Sequence, residues 1–164
     1  MDELINYRKL YDYDFWANSE TLASLRTVPS GTEQPRKTFN HVIGAQRIWL
    51  ARFENPAPPS AQPWPDLTLE ECAGAIEDLR RRWKDILDNL TPEKLAGDLA
   101  YLNLKGVAYK TPIRDVLMHL ALHSAYHRGQ VAAAIREAGG KPAPTDYVVY
   151  ARTHSLARTA HRES

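Results

Sequence analysis

Apolar residues recur every three to four positions through four long stretches of the chain, the spacing of amphipathic α-helices. The first stretch runs from about Leu4 to Leu25, where Tyr7, Tyr11, Phe15, Asn18, Leu22 and Leu25 share a face that Leu10 and Trp16 widen. Pro29, Ser30 and Gly31 end it. The second, from about Thr38 to Phe53, carries Phe39, Val42, Ile43, Gln46, Trp49, Leu50 and Phe53 as one stripe. The third has the clearest start, because Thr68 and Glu71 have the spacing of a capping box. Leu69, Cys72, Ile76, Leu79, Trp83, Ile86 and Leu90 then alternate by three and four, which is the seam of a bundled helix. The fourth is opened by Thr111 as N-cap with Pro112 in the first helical position. Ile113, Val116, Leu117, Leu120, Val131, Ala134 and Ile135 stripe it, Gly139-Gly140 caps it, and Pro142 prevents continuation.

The segments between these helices read differently. NPAPPSAQPWP, from Asn55 to Pro65, has five prolines, which forbid regular helix. It is expected to be an extended surface connection, with a partner-recognition motif as the alternative. Thr91-Pro92-Glu93 looks like the cap and first turn of a short helical piece. Around Asn103–Gly106 a turn between β-forming residues suggests a short hairpin. From about Asp146 no period is visible, and the tail from about residue 153, ending ARTAHRES, is expected to fray. The expectation is an all-α fold made of one domain, residues 1–164.

Composition narrows the class. A chain of 164 residues, 43% hydrophobic and 25% charged, suits one globular domain with a core of its own. The net charge of +1 and the lack of a basic run point to no nucleic-acid partner. No stretch approaches about 18 uninterrupted apolar residues, so no membrane span is expected. The opening MDELINYRKLYDYDF has no apolar h-region, and the single cysteine, Cys72, cannot pair within the chain. Both favour a cytoplasmic setting. Cys72 lies on a helix seam and reads as a buried small hydrophobe.

The candidate chemistry lies in the histidines. His119, His123 and His127 are spaced by four, so they stack along one helix face with a drift of about 40° per step. Relative to the apolar stripe, His127 is inside it, His123 at its edge and His119 further out. Two inward imidazoles at i and i+4 can share a metal ion, with satisfied, half-buried histidines as the bland alternative. A third ligand must come from another helix. His41 lies off the main stripe of its helix, and periodicity does not choose it over Asp115, Glu20 or Asp14. His154 and His161 lie in the tail and read as solvated.

Three segments together resemble the DinB-like metalloprotein family. HSAYHRGQVAAAIREAGGKPAPTDYVVYAR, from His123 to Arg152, is similar to the family's C-terminal signature. YDYDFWANSETLASL resembles its first-helix motif and FNHVIGAQRIWLARF its second. The resemblance covers nearly the whole chain in the right order. It implies a four-helix bundle in up-down-down-up order, with the Pro-rich link crossing between helices two and three. It also implies a divalent metal ion, zinc or nickel first, held by His41, His123 and His127. Three nitrogen ligands leave a coordination position open, as catalytic sites do. The resemblance further implies a metal-dependent enzyme that acts on a small-molecule substrate with a low-molecular-weight thiol, as an S-transferase or isomerase. A hydrolase on the same site and a non-catalytic metal-binding or stress-associated protein are the alternatives. A homodimer is also implied.

Neighbouring residues carry secondary expectations. His119 is expected to support a ligand from outside the metal's own ligand set, to act as a general base, or to be a polar boundary residue. Trp16, Tyr13 and Trp49 line a substrate pocket or belong to the core. Arg128 is expected to pair with a carboxylate of another helix, or else to hold a substrate anion. Gln130 reaches across the bundle or holds a ligand imidazole, and Gly129 marks close helix packing.

Overall fold

The structure, a computed structural model, describes residues 3–28, 30–55 and 58–160, the side chains of 155–160 excepted. It is mostly helical, with one small sheet. In chain order the elements are α1 (Glu3–Arg26), α2 (Glu33–Glu54), α3 (Leu69–Asn89), α4 (Pro92–Leu95), β1 (Asp98–Leu102), β2 (Ala108–Pro112), α5 (Ile113–Glu137) and α6 (Tyr147–Ala160). The expectation of an all-α chain is therefore corrected by one antiparallel hairpin.

The four periodic stretches become α1, α2, α3 and α5. Helix α1 packs on α3 and α5, and α2 packs on the same two. Their shared core contains Phe39, Leu25, Leu50, Leu79, Trp83, Leu117 and Ile135, all nearly or fully out of water. The rings of Tyr11 and Phe53 meet Trp83 at 5.2 and 5.3 Å. Tyr7 and Tyr11 donate their hydroxyls to the carbonyls of Arg114 and Leu117, which ties α1 to the start of α5.

Local chemistry explains most boundaries. The Thr68–Glu71 capping box is present in both directions, and Thr91 caps the short α4. Helix α2 begins at Glu33, ahead of the stripe that starts at Phe39. Pro35 is tolerated there because a first-turn N–H has no partner within the helix. Thr111 is not the N-cap of α5. It lies in β2 opposite Leu99, and the α5 cap position falls to Pro112. At the other end, Gly139 takes φ +79°. Its N–H bonds to Arg136 and that of Gly140 to Ile135, a Schellman closure.

The hairpin turn forms as expected. The Asn103 side chain accepts from the N–H groups of Lys105 and Val107, and Gly106 takes the left-handed conformation. Beyond Asp146 the chain forms α6, although its sequence shows no period. Tyr150 of α6 packs against Tyr13 and Ala17 of α1. The expected frayed end thus begins as helix up to Ala160, and Pro29 and 161–164 lie outside the described residues.

A polar network runs through the middle of this apolar frame. Arg128 of α5 donates to the Asp14 carboxylate of α1, and both side chains are almost wholly buried. Arg128 also donates to Asn18 at 2.9 Å, and Gln46 of α2 donates to Asp14 at 3.0 Å and to Ser124 at 3.3 Å. The expectation that Arg128 pairs with a carboxylate of another helix is met. Removing one charge from such a pair leaves the other buried and uncompensated. Arg128→Met is therefore expected to cost about 3–5 kcal/mol of stability in urea unfolding. The double variant Asp14→Leu, Arg128→Met should recover part of that loss.

Candidate metal centre

Helices α2 and α5 are packing neighbours, and three histidines converge between them. One ligand atom from each of His41, His123 and His127 lies within 4.8 Å of the others. The ring centroids are 5.0 Å apart for His41–His123, 4.7 Å for His41–His127 and 4.4 Å for His123–His127. All three are half-buried. Asp115, Glu20 and Asp14 are not in the group, and no fourth His, Cys, Asp or Glu joins it among the described residues.

Hydrogen bonds orient two of the rings. His41 Nδ1 is 2.7 Å from the Pro63 carbonyl, which can only accept, so Nδ1 carries the proton and Nε2 keeps its lone pair. His127 Nδ1 is 2.7 Å from Gln130 Oε1, which fixes the same tautomer. These are the outer contacts that metal-ligating histidines usually make, and Gln130 fulfils its expected part. His123 differs, because its Nδ1 is buried with no hydrogen-bond partner among the described residues. A buried nitrogen without a partner is costly, and a metal–nitrogen bond is one way to satisfy such an imidazole. The donor set fits a divalent ion of borderline softness.

The electrostatics also suit ligation. Burial, then the neighbouring His127, His41 and His119, push the His123 imidazole down to about 4. Burial and His127 lower His41, although the Pro63 bond opposes them. The neutral, ligating form of both rings therefore persists to lower pH than usual. His119 is lowered by desolvation and by the charge of Arg52. It sits outside the group, 5.6 Å from His123 and 5.8 Å from Trp49 between ring centroids.

The Pro-rich segment is more than a surface connection. Besides the Pro63 carbonyl, it supplies Trp64, whose ring stacks on His41 at 3.9 Å and 12°. It can lie this close because position 44 is glycine. A Cβ there would come within 2.5 Å of the Pro63 carbonyl oxygen and 2.7 Å of that of Gln62. Sequence reasoning missed Gly44, Pro63 and Trp64. The available signals were a mid-helix glycine three residues after His41, on the same side of α2, and a tryptophan between two prolines. It chose Gly129 instead, yet a Cβ at Gly129 would meet nothing within 4 Å.

The aromatic expectation divides. Trp49 stands beside His119. Tyr13 and Trp16 make their contacts elsewhere, with Tyr147, Tyr150 and His154 of α6. They are drawn away from the histidines by a helix whose sequence has no period. Cys72 is buried, donates to Asn40 Oδ1 at 3.0 Å, and burial raises its thiol to about 11, so it is no nucleophile.

This is a mostly helical protein with a three-histidine cluster able to hold a metal ion between two of its helices. A model of the DinB family matches residues 6–161, and the chain belongs to that family. It is also 29% identical over 157 residues to Protein DinB of Bacillus subtilis (strain 168), covering 87% of this chain and 91% of the relative. No helix among the described residues is long and apolar enough to cross a membrane.

Two outcomes follow from the geometry. Between pH 6.5, the ordinary histidine value, and about 4, the unfolded chain takes up a proton at His123 that the folded chain refuses. The stability of metal-free protein should therefore fall as pH drops through that window, and less steeply in His123→Gln, as read from urea midpoints. Gly44→Ala should cost about 1–3 kcal/mol by overpacking against the proline segment. It should also weaken metal uptake in a competition titration, since the Pro63 carbonyl orients His41.

Proposed function

We propose that this protein is a divalent-metal-dependent enzyme that joins a low-molecular-weight thiol to a small electrophilic substrate, as an S-transferase or isomerase. The observation that carries the reading is the convergence of three imidazoles with no fourth ligand in their group among the described residues. A closed four-ligand set would suit a structural ion; three protein ligands suit a catalytic one. A divalent ion bound there, zinc or nickel in our reading, supplies Lewis acidity that favours the thiolate form of a thiol.

The chain's own residues have distinct parts. His41, His123 and His127 hold the ion, with Pro63 and Gln130 keeping His41 and His127 in the ligating tautomer. Trp64 covers His41 on one ring face and limits access from that side. His119, lowered below its ordinary value, is neutral near pH 7 and acts as a base beside the centre, taking the thiol proton. Trp49 offers an apolar wall next to it.

The packing of α1, α2, α3 and α5 supports a four-helix bundle in up-down-down-up order, with 55–65 as the crossover between α2 and α3. A cytoplasmic, homodimeric protein completes the reading.

One observation favours a second reading, hydrolysis at the same centre. A neutral His119 beside three imidazoles could also take a proton from a water that a bound divalent ion would acidify. Turnover of model electrophiles with glutathione, bacillithiol or mycothiol separates the two. Thiol-dependent consumption that is lost on chelation and restored by zinc or nickel is the expected result. Chelator-sensitive turnover without any thiol would move the assignment to a hydrolase. No metal-dependent rate with any of the three thiols contradicts the thiol reading.

A further inference from the structure

Arg52, near the end of α2, is 8% exposed. A guanidinium so deep in a protein normally meets a carboxylate, yet among the described residues Arg52 makes no ion pair. Its Cζ lies 4.2 Å from the Trp49 ring centroid and 4.6 Å from that of Tyr101 of β1. These contacts are to aromatic rings, which supply no acceptor oxygen. The guanidinium donors lie in the plane, in a fork that matches a carboxylate, and the buried Nε has no acceptor among the described residues.

The location matters as much as the missing partner. Trp49 touches both Arg52 and His119, and His119 touches His123 of the metal centre. The charge of Arg52 is felt at His119. Tyr101 also meets Trp49 at 5.0 Å and stacks with Tyr109, so the hairpin brings aromatic surface to the same spot. A cation, two aromatic walls and a base thus lead in sequence to the three histidines.

We propose that Arg52 receives the anionic group of the molecule transformed at the three-histidine centre, and that this molecule is a small organic acid with a carboxylate. The part that concerns the reaction rests on the metal-enzyme reading; the part that concerns binding does not. Arg52 is a binding residue for the carboxylate, with its guanidinium held against Trp49 and Tyr101 and its fork of donors suited to two acceptor oxygens.

The test uses metal-stripped, desalted full-length protein, with benzoate and its neutral isostere benzamide as probes in calorimetric titrations. Wild-type protein should bind benzoate at least about tenfold more tightly than benzamide, as expected for a charge-assisted bond over a neutral one. Arg52→Met should bring benzoate down to the benzamide level, and Arg52→Lys should keep part of the preference, because the charge remains and the fork does not. Arg81→Met, which removes an exposed arginine on α3, should keep the whole preference. In wild-type protein the side-chain Nε–H resonance of Arg52 should move with benzoate and not with benzamide, a readout independent of how any variant folds. Equal binding of the two probes, or an Arg52 resonance that stays still, overturns the proposal. Protein that prefers benzoate through Arg52 yet takes up no metal supports this inference and removes the metal reading. Protein that takes up metal but does not distinguish the probes does the reverse.

Discussion

The Asp14 carboxylate and the Arg128 guanidinium lie where there is almost no water, and three helices are arranged around them. Each ion loses several kcal/mol of solvation on burial, so their attraction must be supplemented by hydrogen bonds. Asn18 on α1, Gln46 on α2 and Ser124 on α5 supply them. Because hydrogen bonds are directional, this network admits one rotation of α5 against α1 and α2. Apolar stripes alone tolerate more. With Ser124 and Arg128 turned to the interior, the residues just before them, His123 and His127, are turned toward α2. His41 meets them there. The chemical site is thus a consequence of a structural ion pair one residue away.

The site carries its own constraint, which is to keep imidazoles neutral and aimed. Burial and neighbouring imidazoles disfavour protonation at His123 and at His41. The tautomers of His41 and His127 are set from outside, by a backbone carbonyl of the proline segment and by an amide one turn along α5. The proline segment reaches α2 only because Gly44 presents no side chain. A loop that looks like a simple connection in composition therefore governs the orientation of one ligand. On the other side, the β hairpin brings Tyr101 to Trp49 and Arg52 and shapes the approach to His119.

What the sequence reveals follows from the range of the interactions involved. The four long helices are legible because their apolar stripes are local and periodic, and Thr68, Thr91 and Gly139 mark ends through contacts a few residues away. Helix α6 is not legible, since it is held by Tyr147 and Tyr150 against distant rings of α1 and lacks a stripe. The strand role of Thr111 is set by pairing with Leu99 and overrides a good capping residue. The His123–His127 pair is readable from spacing on one helix. His41 is not, because its face is defined by α5 and by Pro63, and family resemblance was needed to single it out. Arg52 looks like any surface arginine until the hairpin closes over it.

The central claim is that His41, His123 and His127 together hold one divalent ion. The most direct measurement is the metal content of untagged protein by mass spectrometry, after reconstitution with zinc, nickel or iron and desalting, beside His41→Ala, His123→Ala and His127→Ala. The account predicts about one ion per chain in the wild type, and loss of it in each variant while the helical circular dichroism persists. A wild-type protein that retains none of the three metals, or variants that retain metal as well as the wild type, would contradict it.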